Sequence, residues 1–417
     1  MKYAPLRMDL LGTIFFAMLT GCAMAHSTDT PKPTAALKPA IPAGEETMYA
    51  RSLVSPGDPA RLDRVLAKAR RGEPLTVAVI GGSITEGALA SSAAKCWASL
   101  TARWWRERFP QAKIEFFNAG IGATGSDIGA HRVQKDLLAH HPDFIVVEFA
   151  ANDGNETKWA ETLEGLLRQI LKQPNHPAVM LFFTMHDNGD SAQQWHTLVG
   201  RHYGLPMVSY RDALWPEVRS GRMKWSDISP DVVHPNDRGH AYCAAFIGAF
   251  LDRQLAALPA EGRFAPLEPL PAPLFTDLYE HTDFYDAANL QPKRNEGWIT
   301  AVSDPRFGPL WSATRPGSVL EFEVEGTVVS MIYRVVKAEM GMAEVQLDDG
   351  PTVKLNGWFK ETWGTWNACQ ELGRDLSPGK HKVRITVLNE KDPASAGHRF
   401  DVQAIMVAGT HGPSARQ

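Results

Sequence analysis

A proline-rich stretch separates two parts of the chain whose hydrophobic residues repeat with different periods. Residues 258–273 contain five prolines, a density that neither a helix nor a central strand tolerates. Before it, from about residue 58, short β-branched or aromatic runs alternate with segments of helical length, whereas after it apolar and polar residues alternate one by one. The first pattern predicts a parallel sheet with crossover helices, and the second predicts half-buried strands. We therefore expect two domains, over 58–256 and 275–412, joined by a linker over 257–274.

The first predicted domain contains apolar runs that are typical of strands covered on both faces by helices. A closing helix is predicted at about 237–255. The predicted strands are 75–80, 113–117, 143–149, 178–184 and 206–209.

The second predicted domain shows the two-residue period over 320–325 and 382–387. Asp348-Asp349-Gly350 separates two strand-like runs and is a hairpin signal, and the turn residues at 377–379 precede another strand. A β-sandwich of the jelly-roll type is the natural prediction for such a segment.

The first 22 residues predict a signal peptide, because Lys2 and Arg7 precede a short apolar run over 10–19. Leu19-Thr20-Gly21-Cys22 resembles the lipobox of bacterial lipoproteins, in which the cysteine becomes the lipidated first residue. Cleavage by the ordinary signal peptidase at Ala23-Met24-Ala25 is the alternative. Both predict an exported protein in the periplasm or on the cell surface, and lipidation of Cys22 would anchor it to a bacterial membrane through a flexible tether over 23–57.

Charge and cysteine usage argue against several classes of protein. The 43 Lys and Arg residues and 47 Asp and Glu residues give a net charge of −4 without a block of like charge, so nucleic acid is not an expected partner. Without Cys22, the chain has only Cys96, Cys243 and Cys369. Their odd number and unrelated spacing predict neither a disulfide framework nor a metal site.

A serine follows the first predicted strand directly, in Gly81-Gly82-Ser83. Ser83 therefore lies at the carboxyl edge of the sheet, where open α/β folds bind ligands, and can act as a nucleophile there. The G-x-S-x-G elbow is not satisfied, because Thr85 stands where its second glycine is required. Taken alone, a Gly-Gly-Ser segment is more often an ordinary turn.

The segments after the second and third predicted strands also carry candidate residues. Gly120, Gly122 and Gly125 spell G-x-G-x-x-G, and Glu148 loosely matches the acid of a dinucleotide site. This cofactor hypothesis is disfavoured because the pattern follows the second strand rather than the first, and because an exported protein meets little NAD. Asn152 brings an amide to the same sheet edge, although Asn-Asp-Gly is also a common turn.

Asp231 precedes His234 by three residues, just before the closing helix. One turn can bring the two side chains together, so that the carboxylate holds one imidazole nitrogen while the other faces a nucleophile. A loop histidine beside a helix cap at Asn236 or Asp237 is the alternative. Nothing in the spacing makes His234, Asp237 and His240 converge on a metal.

The four segments, in this order, resemble the SGNH/GDSL hydrolase superfamily over about 58–256. The resemblance implies a flavodoxin-like three-layer α/β/α fold with Ser83 as nucleophile, His234 as base and Asp231 as the residue that orients the base. It also implies an oxyanion hole and no cofactor or metal. The expected oxyanion donors are the N–H of Ser83, the N–H of Ala123 or Gly122, and the side-chain amide of Asn152.

The chain departs from the superfamily pattern at Gly82, Ala150 and Ala123. Gly82 replaces a common aspartate and should leave the chemistry unaffected. Ala150 and Ala123 replace glycines, and the N–H of Ala123 can serve the oxyanion if its φ is negative.

The expected activity is that of a serine esterase that removes O-acyl groups, above all O-acetyl groups, from a glycan. The second domain resembles the carbohydrate-binding or jelly-roll partners of such enzymes, and Trp358, Trp363 and Trp366 could stack on sugar rings. These residues could instead belong to the core of the sandwich, or their loop could cover the Ser83 cleft. An SGNH acyltransferase, a lipase or lysophospholipase, and a non-catalytic glycan-binding lipoprotein are the rival functions.

Overall fold

The computed structural model describes residues 44–260, 263–304 and 307–409. An α/β domain is followed by a domain of two antiparallel sheets, as the change of hydrophobic period predicts. The predicted signal peptide, Cys22 and most of the predicted tether lie outside the described residues.

The sheet of the α/β domain has the strand order β1-β6-β5-β4-β2-β3. Strands β2 to β6 are parallel to one another and follow the order second, first, third, fourth, fifth, which is flavodoxin-like. The strands are β1 Leu53–Ser55, β2 Leu75–Gly81, β3 Ile114–Gly120, β4 Phe144–Glu148, β5 Ala178–Phe183 and β6 Met207–Ser209. The five predicted strands are confirmed and form the predicted parallel sheet. Strand β1 extends this sheet at one edge by pairing with β6 in the antiparallel direction.

Helices cover both faces of this sheet, because its central strands are apolar on both sides. Val77 and Val79 of β2 pack into one hydrophobic cluster, and the alternate residues Ala78 and Ile80 pack into the other. The helices are α1 Glu46–Ser52, α2 Ala60–Arg70, α3 Ser83–Glu86, α4 Trp97–Arg108, α5 Ser126–Asp136, α6 Thr157–Leu171, α7 Gln193–His202, α8 Tyr210–Arg219 and α9 Asp237–Ala257. Short 3₁₀ turns lie at Ala93–Lys95, Leu138–His140, Trp225–Asp227 and Leu278–Glu280. Within the described part of the chain, none of the helices has the length and apolar character needed to cross a bilayer.

The predicted tether over 23–57 is wrong at its C-terminal end, where α1 and β1 are part of the folded domain. Met48 and Ser52 of α1 are buried. The Arg51 guanidinium donates to the carbonyl oxygens of Asp212 and Ala213 in α8, at 3.2 and 2.8 Å. A helix of seven residues has little stability of its own, so these tertiary contacts hold it and leave only a weak signal in the sequence.

The proline-rich segment is held against the α/β domain although its described residues, 258–260 and 263–273, form no helix or strand. The backbone N–H groups of Leu274, Phe275 and Thr276 donate to the carboxylate of the buried Glu164, at 2.6, 2.7 and 3.0 Å. Leu270 and Phe275 pack against the same cluster as α6. The described residues of the linker therefore lie against one face of the first domain, and we call them the strap.

The second domain is a β-sandwich of two antiparallel sheets. One has the order β15-β12-β17-β10-β9, with β7 also paired to β17, and the other has the order β14-β13-β16-β11-β8. The strands are β7 Thr282–Tyr285, β8 Arg294–Glu296, β9 Ile299–Asp304, β10 Gly308–Ala313, β11 Val319–Glu325, β12 Val328–Val336, β13 Met342–Leu347, β14 Thr352–Asn356, β15 Thr365–Gly373, β16 Lys380–Val387 and β17 Phe400–Ala408.

The core of the sandwich confirms the predicted two-residue period. Phe322 of β11 and Ile385 of β16 are completely buried between the sheets, together with the other apolar residues of both alternating segments. The predicted hairpin at 348–350 joins β13 to β14.

A fourth apolar cluster contains residues of both domains. Ile121 and Ile128 of the α/β domain pack against Ile332 of β12 and against Ala404 and Met406 of β17. The second domain therefore packs, through apolar side chains, against the segment that directly follows β3.

Candidate active site

A serine and a distant Asp-His pair form one hydrogen-bonded chain at the carboxyl edge of the sheet. Ser83, the first residue of α3, has its Oγ 2.8 Å from Nε2 of His234. Nδ1 of the same ring lies 2.7 Å from Oδ2 of Asp231. The structure thus brings together Ser83, His234 and Asp231, as the sequence predicts.

Other groups pack directly against the two glycines that precede Ser83. A Cβ on Gly81 would lie 2.3 Å from the carbonyl oxygen of Glu148, and a Cβ on Gly82 would lie 2.2 Å from Oδ1 of Asn152. The Asn152 amide therefore lies against Gly82, in the turn that precedes Ser83. The expectation that the replacement at position 82 leaves the chemistry unaffected stays a prediction.

The loop that carries Asp231 and His234 is organised by the carboxylate itself. Oδ1 of Asp231 accepts hydrogen bonds from the N–H groups of Val233 and His234, at 2.8 and 2.7 Å, which leaves Oδ2 to face the imidazole. Partial burial would raise the pKa of Asp231, but the bonds from the His234 ring and from these two N–H groups outweigh it and hold the pKa below its usual range. The carboxylate therefore stays ionised beside the ring. The predicted cap at Asn236 is also present, since its Oδ1 accepts from the N–H of Gly239 in α9 at 3.0 Å.

One of the predicted oxyanion donors already has an acceptor. The N–H of Gly122 donates to Oε2 of Glu86 at 2.7 Å, so Ala123 is the remaining candidate donor from this loop. In the part of the chain that the structure describes, no acceptor takes the N–H of Ser83, the N–H of Ala123 or the Nδ2 group of Asn152.

The negative φ on which the use of Ala123 as a donor was made conditional is not present. Its φ is 55°, in the left-handed region where a Cβ meets the following carbonyl group and where glycine is favoured. A glycine at this position would avoid that strain. The alanine keeps the same backbone direction only because its surroundings impose it.

Glu148 lies beneath the sheet edge that carries Ser83, where it binds two threonine side chains rather than a nucleotide. It is fully buried and accepts from the hydroxyls of Thr85 and Thr184, at 2.8 and 2.5 Å. Burial raises the pKa of Glu148 to about 7, against the opposing effect of these bonds. The glycine pattern is explained by packing, since a Cβ on Gly120 would lie 2.2 Å from the backbone nitrogen of Glu86. Contacts within the fold therefore account for both the acid and the glycines that suggested a dinucleotide site.

Sequence reasoning missed two residues that join the candidate segments. Asn118 donates from Nδ2 to the carbonyl oxygen of Thr85 at 2.8 Å, and so ties the end of β3 to α3. Asp153 accepts from the N–H of Ser126 at 2.8 Å and pairs with Nε2 of the buried His196 at 3.0 Å. Both lie inside the motif segments, and that position was the available signal.

The histidine and acid that follow His234 have separate partners. Nε2 of His240 lies 3.1 Å from the carbonyl oxygen of Ala88, and Asp237 accepts from the N–H of Ser91 at 2.7 Å. In residues 44–260, 263–304 and 307–409, no group of three or more His, Cys, Asp or Glu residues is arranged to hold a metal ion.

The three tryptophans proposed as sugar contacts do not belong to the buried core of the sandwich, unlike Trp298 and Trp311. Trp363 and Trp366 are 61% and 47% exposed, and Trp358 is half-buried. Trp366 directly precedes Asn367, whose Nδ2 lies 3.3 Å from the carbonyl oxygen of Gly122. Because side chains alternate along a strand, Trp366 points to the opposite face of β15.

A cavity of about 310 Å³ lies at the other edge of the sheet, under the linker. Its walls include Phe144 and Ala178, the first residues of β4 and β5, and linker residues at 267–271. It is therefore separate from the edge that carries Ser83.

Comparisons with known proteins match both the α/β domain and the two-domain arrangement. The model of the GDSL-like lipase/acylhydrolase family matches residues 79–242. Thioesterase 1/protease 1/lysophospholipase L1 of Escherichia coli (strain K12) is 32% identical over 202 residues, which cover 46% of this chain and 89% of that protein.

Two solved structures also resemble nearly the whole chain. One is a two-domain esterase (CEX) active on acetylated mannans, 33% identical with a TM-score of 0.81, and the match covers 87% of this chain and 99% of that one. The other is that esterase co-crystallised with mannopentaose, 33% identical with a TM-score of 0.80, covering 87% of this chain and 98% of that one.

Proposed function

This chain belongs to the GDSL-like lipase/acylhydrolase family and is a carboxylic ester hydrolase, and we propose that it is a serine esterase that removes O-acetyl groups from a polysaccharide. The observation that carries the proposal is the hydrogen-bonded chain from Ser83 to His234 to Asp231, with distances of 2.8 and 2.7 Å. Hydrogen bonds that link a serine, a histidine and an aspartate in this order activate the serine hydroxyl, which is otherwise a weak nucleophile.

In the proposed mechanism, Nε2 of His234 takes the proton of Ser83 as Oγ attacks the ester carbonyl. The ionised Asp231 holds Nδ1–H and stabilises the imidazolium that forms. The negative oxygen of the tetrahedral intermediate is held by the N–H groups of Ser83 and Ala123 and by the amide of Asn152. His234 then gives its proton to the departing sugar oxygen, which leaves as a hydroxyl group when its bond to the acyl carbon breaks. A water molecule activated by the same nitrogen releases acetate from the acyl-enzyme.

An acetylated mannan is the first substrate to test. The esterases that match both domains of this chain act on acetylated mannans, and the β-sandwich places the exposed Trp363 in the same protein as the hydrolase site. Flat aromatic side chains stack on sugar rings, so we propose Trp363 as a glycan contact, with Trp358 and Trp366 as weaker candidates. Trp363→Ala should raise KM for the polysaccharide and leave p-nitrophenyl acetate turnover unchanged.

The decisive experiment compares a recombinant chain beginning at residue 26 with its Ser83→Ala and His234→Ala variants. Acetate release from acetylated glucomannan and p-nitrophenyl acetate turnover should fall to background in both. Ser91→Ala is the matched control, because Ser91 is exposed and its hydroxyl bonds Asp237 at 2.7 Å. Equal rates in all four proteins would overturn the hydrolase mechanism and favour a glycan-binding lipoprotein.

Two rival enzyme activities give different results in the same assay. A lysophospholipase is suggested by the name of the Escherichia coli relative, and it would prefer longer acyl chains to acetate. An acyltransferase would use the same residues but pass the acetyl group to an added oligosaccharide, which mass spectrometry of that oligosaccharide would reveal.

We also propose that the protein is exported and anchored through a lipid on Cys22. The support is the sequence Leu19-Thr20-Gly21-Cys22 behind an apolar run. Labelled palmitate should be incorporated into the chain and lost in Cys22→Ser. An unlabelled protein whose N-terminus is residue 26 would instead indicate ordinary signal cleavage.

A further inference from the structure

The peptide group between Gly122 and Ala123 is held from the second domain. Nδ2 of Asn367 in β15 donates to the carbonyl oxygen of Gly122 at 3.3 Å, across 245 residues of sequence. Asn367 is 8% exposed. The N–H of the same peptide group is that of Ala123, the proposed oxyanion donor.

The bond from Asn367 fixes the direction of that N–H. A trans peptide group is planar, and its C=O and N–H point in opposite directions. When Asn367 holds the oxygen of Gly122 on the side of the second domain, the N–H of Ala123 must point away from that domain.

The neighbouring groups are anchored independently, so the 122–123 peptide is the part that can still rotate. Ile121 is buried in the cluster shared by the domains, and its N–H donates to the carbonyl oxygen of Gly81 at 3.1 Å. The hydroxyl of Thr124 donates to the carbonyl oxygen of Ile121 at 2.7 Å. Rotation of the peptide would release Ala123 from its φ of 55°, so the strain itself favours the rotated form.

We propose that Asn367 is a positioning residue for catalysis, which keeps the Ala123 N–H directed at the oxyanion and so makes the β-sandwich domain part of the hydrolase machinery. The inference rests on the proposed function of Ser83. It predicts that loss of Asn367 impairs turnover even of an ester too small to need a glycan-binding surface.

The first test measures p-nitrophenyl acetate hydrolysis by Asn367→Ala and Asn367→Asp. The alanine variant should lower kcat about ten-fold, as expected for one neutral hydrogen bond. The aspartate variant should lower it further, to about 30-fold, because its oxygen cannot donate and repels the Gly122 oxygen. KM should stay within about two-fold of the original value, since the donor acts mainly on the transition state.

The matched control is Asn289→Ala. Asn289 lies in the same domain and its Nδ2 also donates to a backbone carbonyl oxygen, that of Phe284, at 3.0 Å. It should leave kcat unchanged. Thermal unfolding of every variant shows whether the domains still pack.

The second test repeats Asn367→Ala in an Ala123→Gly background. Glycine carries no penalty in the left-handed region, so rotation of the peptide relieves less strain in this background. The fall in kcat caused by Asn367→Ala should therefore shrink to about three-fold. A loss that is the same in both backgrounds, or an unchanged kcat in both Asn367 variants, would overturn the proposal. Full activity of Ser83→Ala would instead overturn the proposed function, so the two failures are distinguishable.

Discussion

Substitution of Asp231 provides the sharpest test of how the imidazole is oriented, because its two oxygens have different partners. Oδ1 accepts from the N–H groups of Val233 and His234, at 2.8 and 2.7 Å, whereas Oδ2 faces Nδ1 of His234 at 2.7 Å. In Asp231→Asn, the amide oxygen will take the place of Oδ1, because an NH₂ group there would face two donors. The NH₂ group must then face Nδ1.

This orientation gives His234 the wrong tautomer. Nδ1 would accept from the amide, so the proton would sit on Nε2, the nitrogen that must receive the proton of Ser83. Reversing the amide would lose two hydrogen bonds of about 1 kcal/mol each, which limits the competent form to a few per cent. Together with the lost carboxylate charge, we expect kcat/KM to fall about 10⁴-fold.

Asp231→Ala should be less damaging to catalysis and more damaging to stability. It leaves the imidazole free to adopt the correct tautomer, and the Asp231 side chain is 40% exposed, so water can reach Nδ1. We therefore expect it to be about 30-fold more active than Asp231→Asn. Its unfolding midpoint should be lower, since the N–H groups of Val233 and His234 lose their acceptor.

The assay is kcat/KM for p-nitrophenyl acetate beside thermal unfolding of the same samples. Asp227→Asn is the matched control, because its carboxylate accepts from the N–H of Lys224 at 3.0 Å and caps the preceding turn. It should keep full activity. An Asp231→Asn enzyme more active than Asp231→Ala would refute the tautomer argument, and two fully active variants would remove Asp231 from the mechanism.

Three further predictions concern Glu148, Gly82 and His381. Burial raises the pKa of Glu148 to about 7, so the folded state loses stability as pH rises through 7. In urea unfolding, Glu148→Gln should therefore raise the free energy of unfolding only slightly near pH 5 but by about 3 kcal/mol at pH 8. Gly82→Ala should displace the Asn152 amide, 2.2 Å from the new Cβ, and lower kcat about 100-fold in the acetate assay with KM unchanged. Burial would lower the pKa of His381, but its 2.7 Å bond to Asp348 outweighs this effect and raises the pKa. The pair of protonated His381 and Asp348 therefore stabilises the folded state at low pH, and this stabilisation is lost as pH rises. His381→Gln should therefore lower the unfolding midpoint more at pH 6 than at pH 9; an equal drop would contradict the ion pair.

The fold could be predicted where the pattern of burial is regular. Strand β4 is buried at every residue, and β11 alternates over most of its length, so both left a clear period in the sequence. Strand β1 has only three half-buried residues, too few for a period. Its place at the sheet edge is decided by contacts between α1 and α8, and such contacts have no local signature.

The site was predictable for residues whose role is local, and less so for those set by distant contacts. Asp231 and His234 lie three residues apart, so one turn relates them. The sign of φ at Ala123 could not be read from the sequence, because it depends on partners in α3 and in the second domain, including Asn367. The hydrogen bond between Glu86 and Gly122 crosses 36 residues and was missed for the same reason.

The contacts between the domains also show why point substitution, rather than truncation, tests the role of the second domain. Removing everything after α9 would take the N–H donors of Leu274, Phe275 and Thr276 from Glu164, which is 0% exposed. Glu164 would keep only the Tyr203 hydroxyl, at 2.6 Å, and the loss of three donors is costly for a buried carboxylate. Ile121 would lose its apolar cover at the same time. A truncated α/β domain could therefore lose activity through misfolding alone. Asn367→Ala removes one amide from the Gly122 oxygen and leaves both the strap and the apolar cluster in place, so a fall in kcat can be assigned to the oxyanion loop.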